Sequence, residues 1–295
     1  MVALSFVRSA HDIRRVGVEP HPRGPLVIAK IETRAAVDNL DSIIEASGGV
    51  MIARGDLGSE MPMEELPHLQ KRILQRCITL GRPAITATQM LESMVTAPSP
   101  TRAEASDIAN AVFDGSSALM LSGESAVGHD PVNAVATMAR IAARADDEFD
   151  YDAWGAKVHK IAVTMQPHID DTVTLSMTNA AWRAALEAGA SAIICITRTG
   201  FTVRSIARFR PQAKILGFST DRQTLRQLTL SWGATPMYLD VDQQADNAVA
   251  RAVETAREAG EIRRGDLVAV LSGSREHPGH ATDTLRLIPI KQPDR

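Results

Sequence analysis

The chain has 295 residues, 44% of them apolar and 23% charged, with a formal net charge of −3. That length carries one large or two medium domains with a full core, and that charge steers the protein toward neither nucleic acid nor an anionic membrane. Cys77 and Cys195 form no metal spacing and no disulfide framework, which suits a reducing, cytoplasmic home; no apolar run approaches the roughly 20 residues of a membrane span, and the N-terminus has no signal-peptide pattern.

In chain order, short apolar runs alternate with segments of helical period. The first runs are "VALSF" (2–6), "LVIAKIE" (26–32), "VMIAR" (50–54), "PAITATQ" (83–89) and "SALMLSGE" (117–124). Each is nearly continuous in apolar or small residues, as strands buried on both faces are. Between them, "AAVDNLDSIIEAS" puts Val37, Leu40, Ile43 and Ile44 on one helical stripe. "EELPHLQKRILQRCITLG" does the same with Leu66, Leu69, Ile73 and Cys77 and ends at Gly81, a helix C-cap residue. "SPTRAEASDIANAVFDG" has Pro100 near its first turn, where proline is favourable. Strand–helix alternation predicts parallel β/α units.

The composition turns acidic and aromatic at "DDEFDYDAWG", which predicts a boundary between a domain of residues 1–148 and one of residues 149–295. The second block alternates strands "AIICIT" (192–197), "AKILGFS" (213–219), "TPMYLDV" (235–241) and "DLVAVLSG" (266–273) with helical patterns at 172–187, 202–209, 221–232 and 246–259. It reads as an open α/β domain, with "TLRLIPI" (284–290) as a last strand.

Polar residues gather at the C-terminal ends of the first five runs: Ser5, Lys30 and Glu32, Arg54 and Asp56, Thr86 and Thr88, Ser122 and Glu124. A (β/α)₈ barrel and a doubly wound sheet both place their sites there, and the pattern alone does not separate them. Strand side chains alternate, so Lys30 and Glu32 share a face. Glu32 and Asp56, two carboxylates on neighbouring strands, suit a hard cation such as Mg²⁺ that fills its shell with water and substrate oxygens. Lys30 beside them suggests a phosphorylated substrate, Gly55 lets a backbone approach a ligand closely, and Thr88 offers a hydroxyl. The same residues read equally well as rim salt bridges, Lys30 to Glu32 and Arg54 to a carboxylate. In the second block, Thr197, Thr199, Gly200 and Thr202 surround a predicted helix N-terminus, which attracts phosphate or is a plain capped turn. The histidines show no ligand spacing, Met90, Met94, Met120 and Met138 read as packing, and Arg251, Arg257, Arg263 and Arg264 as a solvated face.

Taken in order, "AKIET", "IARGDLGSE", "ATQMLESM", "PSPTRAEASDIANAVFDG" and "LMLSGESAVG" closely resemble the pyruvate kinase family, and "TRTGFTVRSIARFRPQAKI" is similar to that family's C-terminal domain. The resemblance runs from Val2 to the end of the chain. It implies an α/β fold: a partial (β/α)₈ TIM barrel, holding the fourth to eighth strands, followed by an open α/β domain for effector binding and oligomerisation. The implied reaction moves the phosphoryl group of phosphoenolpyruvate to ADP, giving pyruvate and ATP in the last step of glycolysis. Glu32 and Asp56 then match Mg²⁺ (or Mn²⁺) ligands. Lys30 matches the lysine that stabilises the phosphoryl group in transit, and Gly55, Asp56 and Thr88, with Lys30, match substrate-binding positions. Ser122 matches a serine in a proton path, and Thr197, Thr199, Gly200 and Thr202 a loop gripping a phosphate of a sugar-phosphate or nucleotide effector. Arg102 resembles a position at a subunit contact, which implies a homo-oligomer at full length.

Two departures stand out. Val127 replaces the lysine usual in the family's "ETAKG". "MVALSFVRS" resembles the fourth barrel strand, so three strands, a lid domain and the family's K⁺ ligands are expected to lie outside these residues. Little activity is therefore expected of this chain alone. The competing expectations are a non-catalytic effector-binding or oligomerisation module, and a different phosphoenolpyruvate-using barrel enzyme.

Overall fold

The computed structural model of the chain describes residues 1–17, 24–164, 169–242, 245–273 and 282–291. It divides into two compact units, Met1–Asp150 and Tyr151–Arg295.

The first unit is built on five parallel strands: β1 (Val2–Leu4), β2 (Val27–Ile31), β3 (Gly49–Ala53), β4 (Ala84–Ala87) and β5 (Ala118–Met120). Their order in the sheet is their order in the chain, with no reversal. A doubly wound sheet reverses its strand order and a barrel does not, so this sheet is the arc of a partial barrel. The connecting segments carry helices α1 (Ala10–Arg14), α2 (Arg34–Asp38), α3 (Leu40–Ala46), α4 (Arg54–Glu60), α5 (Leu66–Thr79) and α6 (Arg102–Phe113), and α7 (Gly123–Ala126) and α8 (Pro131–Asp147) follow β5.

The apolar stripe read from sequence is real but divided. Val37, Leu40, Ile43 and Ile44 are all buried, yet Asn39 breaks the segment into α2 and α3 at φ −104°, ψ 20°. Helix α5 ends as expected, and Gly81 takes φ +65°, open to glycine at no steric cost. Pro100 lies outside α6: Thr101 is the N-cap, and its hydroxyl and the Glu104 carboxylate close a capping box. One core cluster gathers Ile31, Ile43, Ile44, Ile52, Leu57, Ile73, Leu74 and Cys77 beneath β2 and β3, and burial pushes the Cys77 thiol up to about 12. A second packs Met90, Leu91 and Met94 on Ile108 and Ala111, with Met138 against them, so two of the four methionines are core and a third lies at its margin.

The second unit opens with α9 (Tyr151–Thr164) and α10 (Ile169–Ala188). The polar and aromatic residues of α9 mask its helical period in the sequence. The sheet follows: β6 (Ala192–Ile196), α11 (Phe201–Ala207), β7 (Lys214–Ser219), α12 (Arg222–Leu228), β8 (Ala234–Tyr238), α13 (Ala248–Glu258), β9 (Leu267–Ser272) and β10 (Thr284–Pro289). The strand order is β10-β9-β6-β7-β8, all parallel except antiparallel β10. The order reverses between β6 and β9, as in an open doubly wound sheet. Arg210 is buried at φ +48° with its guanidinium 5.3 Å from the Trp154 ring centre and 5.1 Å from that of Trp232, a cation sandwiched by two π faces. No described helix is long and apolar enough to cross a membrane.

Candidate active site

Parallel strands present all their C-terminal ends along one edge, and in the first unit the polar residues expected there meet in pairs. At β1 and β2, Lys30 Nζ donates to Ser5 Oγ at 3.0 Å and lies 2.5 Å from Glu32 Oε1. Glu32 is 1% exposed, and its Oε2 accepts the Phe6 N–H at 2.6 Å. That last contact could not be read from sequence, since it depends on Phe6 taking φ +54°.

At β3 and β4, the Gly55 N–H donates to Thr88 Oγ1 at 2.9 Å, and the Thr88 hydroxyl donates to the Ala87 carbonyl at 2.6 Å. The first N–H groups of a helix have no intrahelical partner, so Thr88 satisfies one at the start of α4. A Cβ built on Gly55 would meet Thr88 Oγ1 at 3.6 Å, ordinary contact, so the protein's own packing does not demand glycine there. Thr88 and Gln89 are consecutive non-glycine residues at φ +66° and +55°, which costs roughly 1–2 kcal/mol each. Arg54 is engaged within the protein. Its Nε and Nη2 donate to the Thr88 carbonyl at 3.2 and 2.6 Å, and its Nη1 reaches Asp107 Oδ2 at 2.6 Å.

At β4 and β5, Glu124 is fully buried; its Oε1 accepts the Leu91 N–H at 3.0 Å and its Oε2 the Ser122 N–H at 2.7 Å. The Ser122 side chain is half-buried. Thr86 is buried and bonded to Ser116 at 2.7 Å, so it belongs to the core and not to the site.

Between β2 and β3 the pattern changes. Among the described residues no side-chain hydrogen bond or ion pair joins those two strand ends. Glu32 has one oxygen with no hydrogen bond, only its ion pair to Lys30. Asp56 is exposed, and its carboxylate has no ion pair among the described residues. Among the described residues no three or more His, Cys, Asp or Glu are placed so that they could hold a metal ion. Two carboxylates alone make no closed protein cage; they fit a cation such as Mg²⁺ that keeps water and substrate oxygens in its shell.

In the second unit, Thr197–Thr202 follows β6 at the strand-order reversal, the crevice position of open α/β sheets. The two N–H groups that open α11 are already engaged. Gly200 N–H donates to Thr197 Oγ1 at 3.0 Å, Phe201 N–H to Thr199 Oγ1 at 3.4 Å, and the buried Thr202 hydroxyl lies 2.6 Å from that of Thr282. Gly200, at φ +80°, has no room for a Cβ, which would meet Leu228 at 2.9 Å. Two of the four arginines read as a solvated face form surface pairs, Arg251 with Asp240 and Glu258, and Arg257 with Glu254.

The barrel domain of pyruvate kinase matches residues 1–135, and the pyruvate kinase alpha/beta domain matches residues 176–288. The chain is 43% identical over 290 residues to a pyruvate kinase of Clostridium acetobutylicum, covering 97% of this chain and 60% of that protein. It is 40% identical to pyruvate kinase 2 of Synechocystis (98% and 48%) and 40% identical to the pyruvate kinase of Geobacillus stearothermophilus (92% and 46%). The chain therefore spans about half the length of the curated relatives it matches. With both domains matched in order, and with one sheet that does not reverse followed by one that does, the chain belongs to the pyruvate kinase family.

Proposed function

We propose that this chain supplies the metal- and phosphoenolpyruvate-binding strand ends of a site that transfers a phosphoryl group from phosphoenolpyruvate to ADP. The observation that carries the reading is the contrast along the first sheet edge. Among the described residues, neighbouring strand ends are tied by side chains except where Glu32 and Asp56 stand. A divalent cation bound by those two carboxylates would supply positive charge against the phosphate and enolate oxygens.

Lys30 lies on the same face as Glu32, its Nζ fixed by Ser5. A cation pre-set where charge spreads over transferring oxygens stabilises the transition state without reorganisation. Gly55 and Asp56 open α4 beside Thr88 and would line the substrate. The Thr88 hydroxyl proton is committed to the Ala87 carbonyl, so Thr88 donates to a substrate carboxylate only by rotating away from it. The Ser122 hydroxyl carries the proposed proton-path role, with its backbone locked by Glu124.

The test is calorimetric titration of phosphoenolpyruvate into the 295-residue chain with and without Mn²⁺. Binding that requires Mn²⁺ and is lost in Lys30→Met is expected; metal-independent or absent binding rejects the reading. Because the relatives are about twice as long, we propose little phosphoryl transfer from this chain alone, and robust pyruvate formation in a coupled assay would overturn that. A second reading, an effector-binding or oligomerisation module, draws on the position of Thr197, Thr199, Gly200 and Thr202 at the strand-order reversal. A sugar phosphate or nucleotide there would have to displace the threonine hydroxyls from the Gly200 and Phe201 N–H groups. Sugar-phosphate binding without Mn²⁺-dependent phosphoenolpyruvate binding would favour that second reading.

A further inference from the structure

We propose that Arg54 is a positioning residue: it holds the left-handed pair Thr88–Gln89 so that the Thr88 hydroxyl stays on the Gly55 N–H. The role given to Thr88 rests on the phosphoenolpyruvate reading above; the geometry of the turn does not.

Strand β4 ends at Ala87, and the next two residues take φ +66° and +55° although neither is glycine. Side chains there crowd the following carbonyl, so such residues persist only where their surroundings over-determine them. Leaving the strand direction also takes the Thr88 carbonyl out of the ladder, and a carbonyl out of the ladder needs a donor. Arg54 supplies two, Nε and Nη2, on that single oxygen. The guanidinium is itself held by Asp107 Oδ2 at 2.6 Å and, more loosely, by Gln70 Oε1 at 3.4 Å. One side chain thus links the start of α4, helix α5, the turn after β4 and helix α6. Lysine could not replace it, since an ammonium on a flexible stem has no rigid fork to span these partners. From the other side of the turn, Glu124 holds the Leu91 N–H. With the turn fixed at both ends, the Thr88 hydroxyl is aimed back at Gly55.

If Arg54 works by holding a strained conformation, its loss should matter less once the strain is removed. Glycine at position 89 takes positive φ freely. The experiment reads hydrogen exchange of the Gly55 amide by NMR in the full 295-residue chain, without ligand, for Arg54→Met, Arg54→Lys, Gln89→Gly and the Arg54→Met/Gln89→Gly double variant. Arg54→Met is expected to speed Gly55 exchange about tenfold, the loss of one hydrogen bond, Arg54→Lys less, and the double variant to return most of the protection. Unchanged Gly55 exchange in Arg54→Met, or a loss that Gln89→Gly does not reverse, overturns the proposal. If Arg54→Met does not fold, Arg54→Lys with and without Gln89→Gly decides on the same criteria. A wild-type chain that binds no phosphoenolpyruvate with Mn²⁺ would remove the functional reading and leave this comparison fully decisive.

Discussion

Two aspartates stand just past the ends of buried parallel strands, and they are used in opposite ways. Asp56 follows β3 in the first unit; it sits in the first turn of α4, exposed, with no ion pair on its carboxylate among the described residues. Asp221 follows β7 in the second unit, caps α12, and accepts from the Gln223 N–H, the Thr224 N–H and the Thr224 hydroxyl at 3.0, 3.0 and 2.8 Å. The contrast extends to the whole of each sheet edge. The first carries charge, two adjacent left-handed residues and one pair of strand ends without a side-chain tie. The second carries hydroxyls spent on the fold: Thr197 accepts from the Gly200 N–H, Thr202 meets Thr282, and Ser219 accepts from the Asp221 N–H. Parallel strands joined through helices supply both edges, although the strand orders differ; what sets the edges apart is whether the polar groups are spent on the fold.

The strongest way to break this comparison is Asp56→Asn. A carboxylate not spent on the fold should cost little stability when neutralised, within about 0.5 kcal/mol as for an ordinary surface change. Mn²⁺-dependent phosphoenolpyruvate binding should weaken about hundredfold, the upper end of what losing even an outer partner of a metal costs. A stability loss above about 1 kcal/mol with binding intact would make Asp56 a structural residue like Asp221.

The next test concerns the second unit's own exception. Arg208, at the end of α11, is 9% exposed, and its Nε and Nη2 have no hydrogen-bond partner among the described residues. Burial pushes its pKa down to about 10. A base depressed on folding opposes folding while it is charged, and here that penalty fades only above about pH 10. Replacing a poorly compensated buried charge by an apolar side chain of similar length is often stabilising by about 1–4 kcal/mol. Arg208→Met should therefore raise the urea midpoint. Trp154, Trp182 and Trp232 all lie in the second unit, so tryptophan fluorescence reads that unit selectively. A lower midpoint would show that Arg208 is compensated after all.

What was legible in the sequence follows the same division. Period and strand-end polarity located all ten strands' neighbourhoods and put Lys30 with Glu32, because alternation along a strand is local. They left barrel and doubly wound sheets open, because strand order is a long-range property; the resemblance in motifs supplied that choice. They could not find the Arg54–Asp107 pair, separated by 53 residues, or the Glu124–Leu91 bond, separated by 33. Nor could they show that Thr88 and Gln89 are left-handed, since neither residue type announces it. At Thr197–Thr202 the residue types suit a phosphate loop or a plain capped turn; they could not show that Thr197 and Thr199 accept from the Gly200 and Phe201 N–H groups, or that Thr202 meets Thr282, 80 residues away.

That threonine pair gives a smaller, sharper test. Thr202→Val leaves one buried hydroxyl without its partner, which costs about 1–3 kcal/mol, whereas removing both partners is close to neutral. The Thr202→Val/Thr282→Val double variant should lie well above the sum of the two single losses in stability, measured by the same fluorescence transition. Additive losses would mean that the two hydroxyls are satisfied separately, and the second edge would then be less closed than Asp221 suggests.

The smallest effect belongs to Asp221 itself, and its sign is fixed by the cap. Burial acts most strongly on its carboxyl and raises the pKa, but the Thr224 hydroxyl and the Gln223 and Thr224 N–H groups together outweigh it, so the group sits below its ordinary value of 3.8. A carboxyl depressed on folding adds stability above its unfolded value and loses it as pH falls through the lower, folded one. Asp221→Ala should cost about 1 kcal/mol at neutral pH, the usual worth of an N-cap. Asp221→Asn, which still caps, should cost less. The gap between wild type and Asp221→Ala should hold steady from pH 7 to about pH 5 and shrink below 3.8, as the protonated wild-type carboxyl gives up its charged hydrogen bonds. A gap that persisted undiminished through that window would mean the cap does not depend on charge, and the difference between the two aspartates would reduce to one of hydrogen-bond count.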